Sequence, residues 1–328
     1  MTAEISVALC TYNGAAYVEA QVQSILRQTR VPDEIVISDD GSTDGTLGVV
    51  ASTVDGGAAI GVSPDVVVLA GTTPSGVTAN FERAVARTTR PLIALSDQDD
   101  VWHPDRLERL AERFDDGGLT FLHTDARLVD EDGAPLDATL FETLELSDEE
   151  LRLEEEGRAF EALLRRNLAT GATVVFRREL LTSARPFPPE WVHDEWLAVV
   201  AAATGRVGVV REATIDYRQH GRNQIGVTEP TLRYKVSRVL EPRGDRNTKL
   251  AQQFAVLADR LGALGDAVPG AYVSAARQKA DFEAKRAAMA PNRLRRVGAV
   301  FGLARRGLYG RFASRGRSDI IRDLLQPA

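Results

Sequence analysis

Short apolar segments alternate with segments of helical periodicity in the N-terminal part of the chain, and this alternation restricts the fold more than any other feature. Apolar and β-branched residues dominate residues 5–9, 34–38, 65–69 and 91–95. Between the first two of these segments, apolar residues recur every three or four positions over residues 15–27. Strands that alternate with helices form a parallel sheet covered on both faces. The sequence therefore predicts an α/β fold with a Rossmann-like, mainly parallel central sheet flanked by helices.

Polar residues follow three of the predicted strands. The segments that follow read Thr11-Tyr12-Asn13-Gly14, Ser38-Asp39-Asp40 and Ser96-Asp97-Gln98-Asp99-Asp100. Ligands of open α/β sheets bind beyond the carboxyl ends of the strands. We therefore expect these polar residues to line one binding crevice.

Three carboxylates stand within four residues after the strand at residues 91–95. Asp97, Asp99 and Asp100 repel one another, so folding them together costs stability unless a cation or hydrogen-bond donors compensate. Carboxylate oxygens suit a hard ion, Mg²⁺ or Mn²⁺, whose shell is completed by phosphate oxygens and water. The alternative is an acidic turn that only caps the following helix. The position in register with the other polar strand ends favours the metal site.

The first two strand ends carry groups that suit a nucleoside. Thr11, Tyr12 and Gly14 supply a hydroxyl, an aromatic face and a close backbone approach, which suit a base and a ribose. Asp40 is expected near the rim of the same crevice, where its carboxylate could accept a hydrogen bond from a nucleobase N–H. The alternative is that the segment at residues 39–44 is a helix cap and nothing more.

Several ordered motifs over residues 1–226 resemble those of inverting family 2 glycosyltransferases of the GT-A fold. They include SVALCTYNGAAYVEAQ, EIVISDDGSTDGT, GVTANFERAV and IALSDQDDVWHPDRLERL. The later segments GATVVFRREL, VHDEWLAVVAAATG and ATIDYRQHGRNQIG are similar to a rhamnosyltransferase-like branch. The resemblance implies the GT-A nucleotide-diphospho-sugar transferase fold, a nucleotide-sugar donor and a divalent metal.

The resemblance also implies roles for individual residues. Those implied in nucleotide-sugar binding are Thr11, Tyr12, Asn13, Asp40, Asn80, Asp97 and Asp99. Among them, Asp97 and Asp99 belong to the DxD element that serves ribose, diphosphate and metal. Asn80 lies in a family signature but could instead only pack its loop. The imidazole of His220 is a candidate third metal ligand, with diphosphate binding as its alternative.

Inverting transfer requires one carboxylate to take the proton of the acceptor hydroxyl. In the family, this base lies at the start of a helix, a place occupied here by His193-Asp194-Glu195-Trp196. The resemblance therefore implies Asp194 as the catalytic base. Glu195 is the alternative if the alignment is displaced by one residue. From the residues alone, Asp194 could equally be the N-cap of that helix.

These features imply an inverting, metal-dependent hexosyltransferase. The branch indicates dTDP-rhamnose as donor, with a UDP-sugar as the alternative, and a surface polysaccharide or its lipid-linked precursor as acceptor. The Gln-x-x-Arg-Trp motif of processive members is absent from the sequence, which favours transfer of one sugar. Two alternatives stay open: a sugar-nucleotide nucleotidyltransferase, and a catalytically silent glycan-binding protein on the same fold. The first would carry a basic triphosphate loop, whereas TYNGAAYVEA contains no Lys or Arg.

The charge distribution separates an acidic body from a basic C-terminal region. Residues 1–229 hold 20 basic and 39 acidic side chains, whereas residues 230–328 hold 20 and 8. We expect residues 1–228 to form the catalytic domain and residues 229–328 a mainly helical extension. Residues 285–317 contain ten Lys and Arg, interleaved with apolar residues, and no acid. Such a segment is typical of contact with an anionic membrane surface or, alternatively, with a second subunit in a homodimer.

The location of the protein is predicted from its cysteine content and hydropathy. The single cysteine, Cys10, excludes an intramolecular disulfide and fits a reducing compartment. The sequence contains no apolar stretch of membrane-spanning length and no recognisable signal peptide. We therefore expect a cytoplasmic protein with peripheral contact at the inner face of the cell membrane. Nucleic acid is not expected as a partner, because no known binding motif accompanies the basic region.

Overall fold

The structure is a computed structural model that describes residues 3–115, 118–221 and 244–327. The chain divides into two compact units. The first consists of Met1–Gly157 and Ala169–Val227, and the second of Arg158–Leu168 and Thr228–Ala328. The sequence did not predict that the short segment Arg158–Leu168 groups with the C-terminal region.

Strands and helices alternate through the first unit. Its strands are β1 (Ile5–Thr11), β2 (Glu34–Asp39), β3 (Asp65–Ala70), β4 (Leu92–Ser96), β5 (Val101–Trp102), β6 (Leu119–Val129), β7 (Pro135–Thr139), β8 (Val175–Arg177) and β9 (Arg206–Arg218). Helices α1 to α6 are Val18–Leu26, Thr46–Ala59, Val77–Arg87, Arg106–Asp115, Leu140–Thr143 and Asp148–Glu155. After α7 (Ala159–Leu163), which belongs to the second unit, come α8 (Leu181–Ala184) and α9 (His193–Thr204). Short 3₁₀ helices at Gly171–Thr173 and Arg178–Leu180 flank β8.

All nine strands belong to one sheet of order β3-β2-β1-β4-β8-β6-β9-β5, with β7 paired to β6. The four strands predicted from the opening alternation are mutually parallel, as expected. The rest of the sheet is mixed, because β8 runs antiparallel to both β4 and β6 while β9 runs parallel to β6. Strand β8 is short, because a 3₁₀ helix occupies Gly171–Thr173 just before it.

The centre of the sheet is covered on both faces. Every residue of β1, β2 and β4 is buried, which explains why the middle of each strand is a continuous apolar run instead of an alternation of apolar and polar residues. Thr11 pairs with Asp39 across β1 and β2, and Leu9 pairs with Ser96 across β1 and β4. This register brings the three polar strand ends to the same edge of the sheet.

The second unit is helical where it is described. Besides α7 it contains α10 (Arg246–Ala263), α11 (Gly270–Ala287), α12 (Arg293–Arg305), α13 (Leu308–Phe312) and α14 (Ser318–Leu325), with a 3₁₀ helix at Gly265–Ala267. Phe160 of α7 stacks on Tyr272 of α11 with ring centroids 4.3 Å apart, which attaches the early segment to this unit. In neither unit do the described residues include a helix long and apolar enough to cross a membrane.

Charged side chains are buried and paired inside the second unit. Arg286 makes a bidentate contact with Asp323, with Nε and Nη2 at 2.7 and 2.9 Å from the carboxylate oxygens. Glu283 accepts hydrogen bonds from Lys279 at 2.7 Å and from Arg286 at 3.1 Å. Tyr309 donates its hydroxyl to Asp323 at 2.7 Å. Buried ions of this kind are stable only while every partner is present.

We predict that Asp323→Asn lowers the free energy of unfolding by about 3 kcal/mol, because it leaves buried Arg286 without its bidentate partner. Urea denaturation measures the change. Asp281→Asn is the matched control: Asp281 is exposed on the same helix as Arg286, so its replacement should change stability by less than about 0.5 kcal/mol. Equal stability of the two variants would show that the buried pair contributes nothing.

Candidate active site

The turn after β2 is held by the end of β1. Thr11 donates its hydroxyl to Asp39 at 2.7 Å, and the second oxygen of Asp39 accepts the backbone N–H groups of Gly41 and Ser42 at 3.1 and 2.8 Å. Thr11 is 1% exposed. The Thr11 side chain therefore braces the turn, and its predicted contact with a nucleotide base stays a prediction.

Asp40, which the sequence predicts at the crevice rim, is buried and already engaged. Its carboxylate accepts hydrogen bonds from the backbone N–H and the hydroxyl of Ser75, at 2.9 and 2.6 Å, and from the backbone N–H of Gly76 at 2.9 Å. A carboxylate offers about four lone-pair positions. Three donors leave room for one more, so a base N–H could still be accepted while Asp40 holds the loop before α3.

Asn80 connects α3 to the ends of β1 and β2. Its amide oxygen accepts from the Ser38 hydroxyl at 2.7 Å and from Arg83 at 3.0 Å, while its amide nitrogen donates to the Ser38 carbonyl at 3.0 Å. The side chain is buried. Of the two interpretations left open by the sequence, these contacts favour the packing role.

The loop after β1 is clamped to the acidic segment by a residue that the sequence did not single out. Gln98 accepts from the backbone N–H of Tyr12 at 2.8 Å and donates to the Tyr12 carbonyl at 3.1 Å. Asn13, with φ of +48°, accepts the backbone N–H of Thr43 at 2.9 Å. The ring of Tyr12 stays 39% exposed, which leaves it accessible for stacking. Only the position of Gln98 inside the acidic segment could have indicated its role.

Asp97 lies close enough to Asp194, about a hundred residues later in the sequence, for the two charges to interact. Burial, with the nearby charges of Asp99 and Asp194, raises the pKa of Asp97 to about 8. Burial and the charges of Asp99 and Asp97 raise the pKa of Asp100 well above its usual range. One oxygen of Asp100 accepts the backbone N–H of Arg218 at 3.1 Å, and the other has no hydrogen-bond partner among the described residues.

His220 lies against the DxD segment. Its Nε2 is 2.9 Å from an oxygen of Asp99, and its ring stacks on Tyr17 with centroids 4.7 Å apart. Arg218 donates to the carbonyl oxygens of Asp99 and Glu131 at 2.9 and 2.8 Å. Arg218 therefore fastens the backbone of the acidic segment, while His220 contacts its side chain.

The residues predicted to bind metal fit a hard divalent cation chemically. Asp97 and Asp99 supply oxygens, and His220, which pairs with Asp99, supplies one nitrogen. Among the described residues, no cationic side chain forms an ion pair with Asp97. The described residues contain no preformed group of three such side chains at metal-binding distances. A cation held here would thus depend on further ligands, as Mg²⁺ and Mn²⁺ with phosphate do.

Asp194 lies within the first turn of α9. The N-cap of this helix is Val192, so the simpler interpretation of Asp194 as the N-cap is wrong. One oxygen of Asp194 accepts the backbone N–H of Gly171 at 3.0 Å and the other accepts that of Glu195 at 2.7 Å. These bonds, with the positive end of the helix dipole, fix a carboxylate beside the DxD segment.

Burial shifts the pKa of both residues next to Asp194, Glu195 and His193. Burial, followed by the charge of Asp194, raises the pKa of Glu195 to about 7. His193 is buried and stacks on Phe81 with centroids 3.9 Å apart, and burial lowers its pKa. A Cβ at Gly171 would lie 2.8 Å from His193 Nε2, so only glycine fits there. Sequence reasoning missed this requirement.

We predict that Asp97→Asn stabilises the metal-free protein, relative to wild type, by about 4 kcal/mol more at pH 8 than at pH 5. Because the folded-state pKa is raised, the folded protein holds one proton more than the unfolded chain between about pH 4 and pH 8. The stability of the wild type therefore falls as pH rises through this window, and the asparagine removes that loss. Urea denaturation from pH 5 to pH 8 in chelator measures it. Asp55→Asn, at an exposed site in α2, should keep the wild-type slope, and the same slope in Asp97→Asn would contradict the prediction.

Comparisons with known proteins identify relatives of this chain. The chain is 28% identical over 225 residues to an uncharacterised glycosyltransferase of Nostoc sp., covering 67% of this chain and 66% of that protein, slightly less than two thirds of its length. It is 26% identical over 241 residues to the dTDP-rhamnosyl transferase RfbG of Shigella flexneri, covering 66% of this chain and 73% of that protein.

A solved structure shares the fold. The mannosyltransferase PcManGT of Pyrobaculum calidifontis, solved with GDP-Man and Mn²⁺, superposes with a TM-score of 0.53 at 18% identity, covering 98% of this chain and 86% of that chain. The predicted GT-A fold is thereby confirmed. The family model for glycosyl transferase family 2 matches residues 6–183, more than half of the 328 residues and including the strand ends described above, so the chain belongs to glycosyl transferase family 2.

Proposed function

We propose that the protein transfers one sugar from a nucleotide-diphosphate donor to a hydroxyl group, with inversion at the anomeric carbon. The observation that carries the proposal is that Asp194 lies close enough to the DxD segment for its charge to add to the effects of burial and of Asp99 on the pKa of Asp97. A base on one side of the transferred carbon and a diphosphate-binding group on the other are what a single displacement requires.

Asp194 acts as the base in this mechanism. Its carboxylate is oriented by the backbone N–H groups of Gly171 and Glu195, which leaves lone pairs to accept the proton of the acceptor hydroxyl. As that oxygen forms its bond to the anomeric carbon, the bond from this carbon to the diphosphate breaks. Glu195 is the alternative base, since burial brings its pKa to about 7.

Asp97, Asp99 and His220 would hold Mg²⁺ or Mn²⁺, and the bound cation would neutralise charge on the departing diphosphate. Tyr12 would stack on the base, and Asp40 would accept its N–H. Arg218 keeps the acidic segment in place by donating to the carbonyls of Asp99 and Glu131.

dTDP-rhamnose is the proposed donor, and a surface polysaccharide or its lipid-linked precursor is the proposed acceptor. The likeness to the rhamnosyl transferase of Shigella flexneri supports the donor. Membership of glycosyl transferase family 2 favours sugar transfer over nucleotidyl transfer. If the wild-type protein binds the donor but transfers sugar to none of the acceptors tested, the silent glycan-binding alternative is supported instead.

We predict that Asp194→Asn lowers kcat by about 10²–10⁴, because the amide cannot take the hydroxyl proton. Its affinity for the nucleotide should stay within about twofold of wild type. Glu195→Gln is the matched control and should keep kcat within about tenfold. Initial-rate measurements of sugar transfer and calorimetry with the nucleotide check both. If the two variants exchange behaviour, the base is Glu195.

We predict that dTDP-rhamnose raises the melting temperature more than UDP-sugars do, and that the rise requires Mn²⁺ or Mg²⁺. Asp99→Ala should abolish the metal-dependent part, because it removes a proposed ligand together with the partner of His220. Asp105→Ala changes a half-buried aspartate before α4; it is the control and should behave as wild type. An equal shift in chelator would contradict the metal assignment, and a larger shift with a UDP-sugar would replace the donor.

A further inference from the structure

An apolar stripe on α12 is exposed in the second unit. Leu294, Val297 and Phe301 recur at three and four residues, so they share one side of the helix. Their exposed fractions are 83%, 36% and 56%. The opposite side of α12 is already buried through Arg296 and Val300. The stripe is therefore a second apolar face with no partner among the described residues.

Helix α14 presents apolar residues outward as well. Its carboxylates Asp319 and Asp323 are buried, while Ile321 and Leu325 are 57% and 49% exposed. This is the reverse of the usual arrangement, in which charges face water. Arg296 of α12 donates to the carbonyl oxygens of Asp323 and Gln326, both at 2.9 Å. The two helices are thus directly bonded, through the side of α12 that lies opposite its apolar stripe.

Cations without acidic partners surround these residues. Arg293, Arg295, Arg305 and Arg306 are exposed on or directly after α12. None of them forms an ion pair with a carboxylate in the described part of the chain. The sequence contains no Asp or Glu between Glu283 and Asp319. The surface is therefore both apolar and uniformly positive.

We propose that this surface, made of the apolar stripe of α12 and the exposed arginines beside it, docks on an anionic lipid bilayer. Apolar side chains insert at the boundary of headgroups and acyl chains, while arginines at the same level attract lipid phosphates. No other single partner matches both properties equally well. The inference goes beyond the proposed transfer reaction, because it concerns a surface of the second unit and needs no donor or acceptor.

A second copy of the chain fits the surface less well. In a two-fold dimer the same patch meets itself, so arginines would face arginines across the interface. Contact of the basic patch with an acidic surface of another copy would be heterologous. Heterologous contacts form a closed oligomer only when the rotation between neighbouring copies permits it. An anionic bilayer meets neither difficulty.

Vesicle sedimentation tests the docking with the full-length protein. Wild type should bind vesicles of phosphatidylcholine with phosphatidylglycerol, should not bind phosphatidylcholine alone, and should dissociate at high salt. Phe301→Asp should weaken binding at least about tenfold, because it puts a charge into the apolar stripe. Ile60→Asp is its matched control: Ile60 is 77% exposed in the first unit, and its variant should bind as wild type does.

The electrostatic part has its own pair of variants. Arg293→Glu with Arg305→Glu should weaken binding to anionic vesicles at least about tenfold. Arg87→Glu with Arg206→Glu makes the same charge change at exposed positions of the first unit and should leave binding nearly unchanged. A loss in both double variants would mean that net charge alone governs binding, which would overturn the assignment to this surface.

Two further results would overturn the proposal. One is wild-type protein that stays in the supernatant with anionic vesicles at low salt. The other is a dimer in light scattering that Phe301→Asp converts to monomer without any vesicle binding, which would assign the surface to a second copy. The melting shift that dTDP-rhamnose causes in Phe301→Asp should equal that of wild type. Failure of docking is therefore distinguishable from failure of the proposed transfer.

Discussion

Repulsion among carboxylates at the strand ends is the constraint on which the site depends. Burial, together with the charges of Asp99 and Asp194, raises the pKa of Asp97 to about 8. Keeping them together costs free energy that the rest of the first unit must offset. The fully buried strands β1, β2 and β4 form the apolar centre that does so. A cation bound at the strand ends would turn this unfavourable charge into binding energy.

Side-chain hydrogen bonds hold the acidic segments against this repulsion. Asn80 bonds to the end of β2, Gln98 clamps the loop after β1, and Arg218 fastens the backbone of Asp99. Asp194 is fixed separately, by the backbone N–H of Gly171. Residues within or beside the predicted ligand-binding motifs thus hold the strand-end loops in position. These contacts already use much of their hydrogen-bonding capacity.

The sequence predicts the parallel half of the sheet and the position of its polar strand ends at one edge. Both follow from the alternation of apolar strands with helices, because parallel strands end at the same edge. The sequence could not decide whether Asp194 is the N-cap or a first-turn residue of α9, since aspartate is common at both positions. The role of Gln98 was also hidden, because it depends on a contact 86 positions away in sequence. The grouping of Arg158–Leu168 with the helical unit depends on packing that no local pattern records.

The buried carboxylates of the second unit and the carboxylates of the candidate site have different surroundings. In the second unit, Glu283 and Asp323 each meet a Lys or Arg at hydrogen-bond distance. In the first unit, Asp97 and Asp194 form no ion pair with any described residue, although burial makes an unpaired charge costly. Where the fold supplies a counter-ion, the acid stabilises the structure. Where it supplies only N–H groups and other acids, an acid either keeps its proton, as the raised pKa of Asp97 shows, or needs a cation that the protein binds.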